Sequence, residues 1–169
     1  MTLVARMLKE AGLMTTGARG ANAPEMTALD AARITIALLG TDRPGRAVEI
    51  VRTFGEITYD AGWSRGNGDW AIGADDRLLA FEEVLAKHFS FSQPLPPFYS
   101  VTLHADAMRA EIQFYGAGKA PDIAVFTQGF DTVDDADAAL EAQMARRGIQ
   151  HSRTLAANDL MKVGIAIMH

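Results

Sequence analysis

The chain has 169 residues, with 16 lysine and arginine residues against 21 acidic residues, so its formal net charge is −5. Hydrophobic residues make up 49% of the chain and charged residues 22%, which is typical of folded globular proteins and excludes wholesale disorder. The absence of cysteine excludes disulfides, thiolate metal sites and cysteine nucleophiles. No apolar run approaches the ~20 residues of a membrane span, and the charged opening residues lack a secretion-signal pattern, so we expect a cytoplasmic protein.

The first 55 residues predict three short helices. The first predicted helix ends at Gly12, where its helical spacing of apolar residues stops. Thr27 is the predicted N-cap of the second, with Asp30 at the capping-box position where Glu or Gln is usual. Gly55 ends the third. The predicted helices cover about residues 2–11, 27–39 and 44–54.

A glycine-rich connection over 55–73 follows, with a possible short strand at 57–59. Helical spacing returns from Leu78 to about His88, with Asp75 or Asp76 as the cap. The three prolines in residues 90–97 form the clearest break in the chain. We therefore expect a helical subdomain over 1–89 and a strand-rich subdomain over 98–169, with one compact domain as the alternative.

After the break the apolar pattern changes to a period of two, which predicts an antiparallel hairpin with one buried face. The turn of this hairpin is expected at Asp106-Ala107. Residues 158–168 fit either a helix or a strand, and the spacing favours a helix. The remaining predicted elements are strands at 123–127 and 151–155 and a helix at 134–147. The sequence therefore predicts an α+β fold, with an N-terminal three-helix segment and a small antiparallel sheet packed with helices.

The loop between the first two helices contains the pattern Gly-x-Arg-Gly at residues 17–20. Gly17 and Gly20 offer flexible backbone N–H groups, and Arg19 adds a cation beside a helix start. A helix N-terminus carries roughly +0.5 of a charge, so this arrangement suits a phosphate group. The alternative is an ordinary surface loop in which the glycines serve turns.

The charge of the chain is asymmetric. Residues 1–55 are net positive by two, whereas the rest of the chain is net negative by seven. The helices at 27–39 and 44–54 fit the supporting and recognition helices of a helix-turn-helix, with Arg43, Arg46 and Arg52 as phosphate contacts. The alternative is a solvated helical bundle, because a surplus of two charges is small for phosphate binding.

Two tryptophans flank a charged, glycine-rich segment of the connection. Trp63, Arg65 and Trp70 are candidate partner-binding residues, because aromatic and arginine side chains stack on bases and fill partner pockets. The alternative is that the tryptophans anchor the connection on the core. A third hypothesis for the function of the chain is an enzyme or small-ligand binder built around residues 63–76.

Catalytic and metal-binding patterns are sparse. The four histidines stand far apart, and His104 with Asp106 is the nearest approach to a ligand pair. We therefore expect no catalytic residues, no metal site and no cofactor.

Residues 9–33 resemble small bacteriophage- and prophage-encoded proteins. The resemblance rests on a Thr-x-Gly-x-Arg-Gly-like loop, an x-Pro-x-Met-Thr cap and an Asp-Ala-Ala helix start. It implies a phage-related context in a bacterial host, in which regulators and inhibitors of host defence are common.

The leading functional expectation is a non-enzymatic phage-type accessory protein that binds nucleic acid through its N-terminal helices. The acidic C-terminal sheet would then mediate self-association or partner contact. The alternative is a protein-binding inhibitor or interaction module, for example an anti-defence protein, that uses its acidic surface. The expected partners are DNA or a host nucleic-acid-binding protein, with no membrane and a possible homo-oligomer.

Overall fold

The computed structural model describes residues 3–16, 26–65, 78–90, 99–114, 122–129 and 152–156. Within them the fold is α+β, with four α-helices and a five-stranded antiparallel sheet. The helices are α1 (Leu3–Glu10), α2 (Ala28–Gly40), α3 (Ala47–Gly55) and α4 (Phe81–Phe89). The strands are β1 (Thr58–Tyr59), β2 (Tyr99–His104), β3 (Arg109–Phe114), β4 (Asp122–Thr127) and β5 (Ser152–Ala156). The predicted 17–20 loop, 134–147 helix and 158–168 tail lie outside these residues.

The predicted capping box at the start of α2 is confirmed, with aspartate in place of the usual glutamate. Thr27 Oγ1 accepts a hydrogen bond from Asp30 N at 3.1 Å, and Asp30 Oδ2 accepts one from Thr27 N at 2.8 Å. Asp30 Oδ1 also accepts from Thr15 N at 2.8 Å. Burial opposes the ionisation of Asp30, but these hydrogen bonds outweigh it and hold its pKa below the usual value. The cap therefore also fixes the segment that follows α1.

A two-point ion pair joins α2 to α4. Arg33 Nε and Nη2 donate to the two carboxylate oxygens of Glu82 at 2.9 and 2.8 Å, and both side chains are about four-fifths buried. Arg33 Nη1 also donates to Leu13 O at 3.0 Å. A Cβ atom on Gly55 of α3 would lie 2.7 Å from Glu82 Oε2, so the ion pair needs a glycine there. Arg33 thus links α2 to α4 and to the segment that follows α1.

The sheet has the strand order β1-β4-β3-β2-β5. The predicted apolar positions of β2 and β3 lie in the core, where Val101 pairs with Ile112 and Leu103 with Ala110. The prediction of one buried face is confirmed on β3 but is wrong for β2, where Ser100 and Thr102 are also buried. Thr102 and Glu111 pair on the opposite face, which is mostly polar. Residues on both sides of the proline-rich break belong to one hydrophobic core.

Helix α4 begins at Phe81, so the prediction that it includes Leu78 is wrong. Ala80 forms an antiparallel bridge with Thr58, and Phe81 N donates to Ile57 O at 2.8 Å. These bonds hold residue 80 extended and leave Leu78 91% exposed. The start of α4 is therefore set by β1 together with Glu83, whose Oε2 accepts from Ala80 N at 2.9 Å.

The Gly55 contact gives a test of the Arg33–Glu82 pair. Gly55→Ala pushes a methyl group against a carboxylate that Arg33 holds in place, so we expect a loss of about 1–2 kcal/mol of unfolding free energy. Gly45→Ala is the matched control, because a Cβ there meets nothing within 4 Å. Urea unfolding of both variants measures the difference. Equal stability of the two would contradict this packing.

Candidate interaction surface

The chain beyond β1 forms a large bulge along the edge of β4. Asp60 N donates to Val125 O at 2.8 Å, and Arg65 exchanges two hydrogen bonds of 2.9 Å with the backbone of Ile123. Between Asp60 and Arg65 the chain makes an excursion over residues 61–64, opposite the single residue Ala124. We call residues 60–65 the edge bulge. Bulges of this kind redirect side chains and are frequent beside functional sites.

Two polar side chains hold the edge bulge in shape. Ser64 Oγ donates to Asp60 O at 2.7 Å and accepts from Val125 N at 3.0 Å, replacing a backbone partner that the excursion removes. Asp60 Oδ2 accepts from Thr127 Oγ1 at 2.9 Å. Asp60 Oδ1 accepts from the backbone N–H groups of Gly62 at 2.9 Å and Trp63 at 3.3 Å. The conformation of the bulge is therefore fixed by hydrogen bonds within it and to β4.

The edge bulge presents two of the predicted partner-binding residues. The side chain of Trp63 is 47% exposed, although burying it would remove a large apolar area from water. Arg65 is also exposed, and its backbone is fixed on both sides by Ile123. Trp70, the third predicted partner-binding residue, lies outside the described residues.

A polar groove of about 400 Å³ lies at the other end of β1. Ile57 and Gln128 flank the Thr58–Thr127 pair on the side away from Asp60, so the groove and the edge bulge share one edge of the sheet. The groove is lined by Arg52, Thr53, Glu56, Ile57 and Gln128.

The predicted phosphate-binding arginines differ in their surroundings. Arg46 donates to both carboxylate oxygens of Glu49 at 3.0 and 3.2 Å, and this pairing raises the pKa of Arg46 and lowers that of Glu49. Arg43 and Arg52 are exposed, and in the described part of the chain neither lies within ion-pair distance of a carboxylate. Arg19, Gly17 and Gly20 lie outside the described residues.

Ion pairs engage most of the other described arginines. These pairs are Arg6 with Glu10, Arg33 with Glu82, Arg109 with Glu111 and Arg153 with Asp42. Arg65 joins Arg43 and Arg52 as an exposed arginine outside such a pair. Two of these three, Arg52 and Arg65, flank the β1 edge of the sheet.

A charged cluster on the polar face of the sheet was missed by the sequence reasoning. His104 Nε2 lies 3.3 Å from Glu111 Oε1, and Arg109 Nη2 lies 2.8 Å from the same oxygen. Gln113 Nε2 donates to Glu111 Oε2 at 3.0 Å. The strand register, in which His104 pairs with Arg109, brings His104 to Glu111. Arg109 and Gln113 share a strand face with Glu111 by the period of two, but only the register identifies His104 as a partner.

The hydrogen bond with His104 has the largest effect on the pKa of Glu111. Burial raises the pKa of Glu111. The hydrogen bonds from His104 and Gln113 and the charge of Arg109 outweigh burial and lower this pKa to about 2. The carboxylate is therefore held ionised and fully engaged, as expected of a structural ion pair.

The described residues contain no group of three or more His, Cys, Asp or Glu side chains placed to hold a metal ion. No helix among them is both long and apolar enough to cross a membrane.

No protein-family model, curated protein or solved structure matches this chain.

The lowered pKa of Glu111 predicts an acid-dependent stability. The ionised carboxylate stabilises the fold above its ordinary pKa of 4.5, and this contribution is lost as the pH falls towards 2. Because the cluster is partly open to solvent, we expect a contribution on the order of 1–2 kcal/mol. Glu111→Gln should flatten the stability profile between these pH values in urea unfolding.

Glu49→Gln is the control for this experiment, because the Glu49 carboxylate is exposed and pairs only with Arg46 on the surface. Its stability profile should follow that of the original protein. A Glu111→Gln profile with an unchanged acid limb would refute the role of the cluster.

Proposed function

We propose that this chain is a protein-interaction module whose contact surface is centred on the edge bulge. The observation that carries the proposal is Trp63, which is 47% exposed at the apex of a bulge held by Asp60 and Ser64. Tryptophan and arginine are the residue types most enriched among interface residues that dominate binding energy.

The rigidity of the bulge supports this function. Binding to a mobile loop costs about 0.5–1.5 kcal/mol for each side chain that becomes ordered. Here Ser64 and Asp60 already fix the backbone on either side of Trp63. A partner would therefore meet a preformed anchor, and most of the burial of the indole would contribute to affinity.

The proposed biological setting is that of a non-enzymatic accessory protein of a phage or prophage, acting in the cytoplasm of a bacterial host. The resemblance of residues 9–33 to phage-encoded proteins supports this setting. An inhibitor of a host nucleic-acid-binding protein is one form that such a module would take.

Site-specific photocrosslinking tests the contact surface. The chain is expressed in bacterial cells with p-benzoylphenylalanine in place of Trp63, an aromatic substitute of similar shape. We expect a discrete protein adduct that is identified by mass spectrometry and whose yield falls when co-expressed original protein competes for the same partner.

The same photoreactive residue at Leu78 is the control, because this side chain is apolar and 91% exposed but lies outside the edge bulge. Position 78 should give no adduct that the original protein competes away. The absence of an adduct at position 63, or the same adducts at both positions, would refute the proposed surface.

Nucleic-acid binding through the N-terminal helices is the second candidate function. Arg43 and Arg52 favour it, because both are exposed and neither is in an ion pair within the described residues. Arg19, with Gly17 and Gly20, would complete the phosphate-binding surface in this proposal. The Arg46–Glu49 pair counts against a large contribution from Arg46.

Binding to duplex DNA at low salt tests this second candidate. Each lost phosphate contact should reduce the slope of log K against log salt by about 0.9. The double variant Arg43→Ala/Arg52→Ala should therefore bind more weakly and with a shallower slope, measured by fluorescence anisotropy. Salt-independent binding, or an unchanged slope in the double variant, would argue against it.

A further inference from the structure

We infer that the partner segment recognised at the β1 edge is an acidic peptide stretch that also carries an aromatic side chain. This inference rests on the proposed function and names the chemistry of its partner. The segment would follow the edge from the groove to the edge bulge, with its ring on Trp63 and its carboxylates at Arg52 and Arg65.

Two arginines on this edge are open to a negative partner, beside the carboxylates of Asp60 and Glu56. Arg65 at the end of the edge bulge and Arg52 in the groove are exposed and have no carboxylate within ion-pair distance in the described part of the chain. Asp60 is engaged within the bulge, where its carboxylate accepts three hydrogen bonds. The edge therefore offers two available cations on a chain whose net charge is −5.

Glu56 is the one exposed acidic side chain that lines the groove beside Arg52. Its negative charge repels an acidic segment and so lowers the affinity of the β1 edge for that segment. This residue gives the inference a distinctive signature, because removing its charge should strengthen binding while removing either arginine should weaken it.

The same surface is a poor match for a nucleic-acid backbone. Proteins that bind DNA through phosphate contacts commonly neutralise about 6–10 phosphates. The β1 edge supplies two arginines, separated by a large aromatic side chain and accompanied by Glu56. Trp63 instead fits a peptide side chain, since paired aromatic rings contribute about 0.5–1.5 kcal/mol beyond their buried area.

The experiment uses a fluorescein-labelled random copolymer of glutamate and tyrosine as the probe, with fluorescence anisotropy of the full chain as the readout. Copolymers of lysine and tyrosine, and polyglutamate alone, are the probe controls. We expect the glutamate–tyrosine copolymer to bind best, and its affinity to fall as the salt concentration rises.

Four variants locate the binding site. Arg52→Gln and Arg65→Gln should each weaken binding about threefold, as expected for an exposed charge contact. Trp63→Ala should weaken it by on the order of tenfold. Glu56→Gln should tighten it about twofold to threefold. Because all four side chains lie at the surface, circular dichroism should report an unchanged fold.

Lys9→Gln is the matched control, since it removes one positive charge on α1 at a residue that belongs neither to the groove lining nor to the edge bulge. It should leave binding close to that of the original protein. Equal weakening by Lys9→Gln and Arg65→Gln would show that only net charge matters and would overturn the inference.

Two further outcomes would also overturn it. One is that the copolymer does not bind, and the other is that duplex DNA displaces it from the β1 edge and binds more tightly. Neither outcome removes a Trp63 crosslink to a protein. Failure of the acidic-segment inference is therefore distinguishable from failure of the proposed interaction surface.

Discussion

The ion pair between Arg33 and Glu82 positions most of the molecule. It joins α2 to α4, while a third hydrogen bond from Arg33 fixes the backbone at Leu13. The start of α4 is joined to β1, since Phe81 N bonds to Ile57 O and residue 80 bridges Thr58. The edge bulge continues directly from β1, so the orientation of Trp63 depends on a pair of charges in another layer of the molecule.

Local patterns predicted the parts of the fold that are determined locally. Thr27 and Asp30 stand three residues apart and cap α2, and the period-two alternation of β2 and β3 identified their core-facing positions. The start of α4 was not predictable in this way. Its apolar spacing extends back to Leu78, but the bridge between Ala80 and Thr58 joins positions far apart in sequence and ends the helix earlier.

The candidate surface was only partly predictable for the same reason. Residue type alone identified Trp63 and Arg65, but the bulge depends on a bond between Ser64 and Val125, which are 61 positions apart. The count of cations in the first 55 residues overstated the available positive charge, because Arg33 and Arg46 are engaged by carboxylates. His104 was considered with Asp106, its neighbour in sequence, whereas the strand register places it beside Glu111.

The hydroxyl group of Ser64 also bears on the solubility of the molecule. A bare margin of a β-sheet is a template on which foreign strands assemble into fibrils. Along β4 the N–H and C=O groups of Ile123 and Val125 are already occupied by Arg65, Ser64 and Asp60. At these two residues β4 cannot recruit another extended chain through its main chain. An exposed tryptophan therefore stands beside a stretch of strand that is closed to polymerisation.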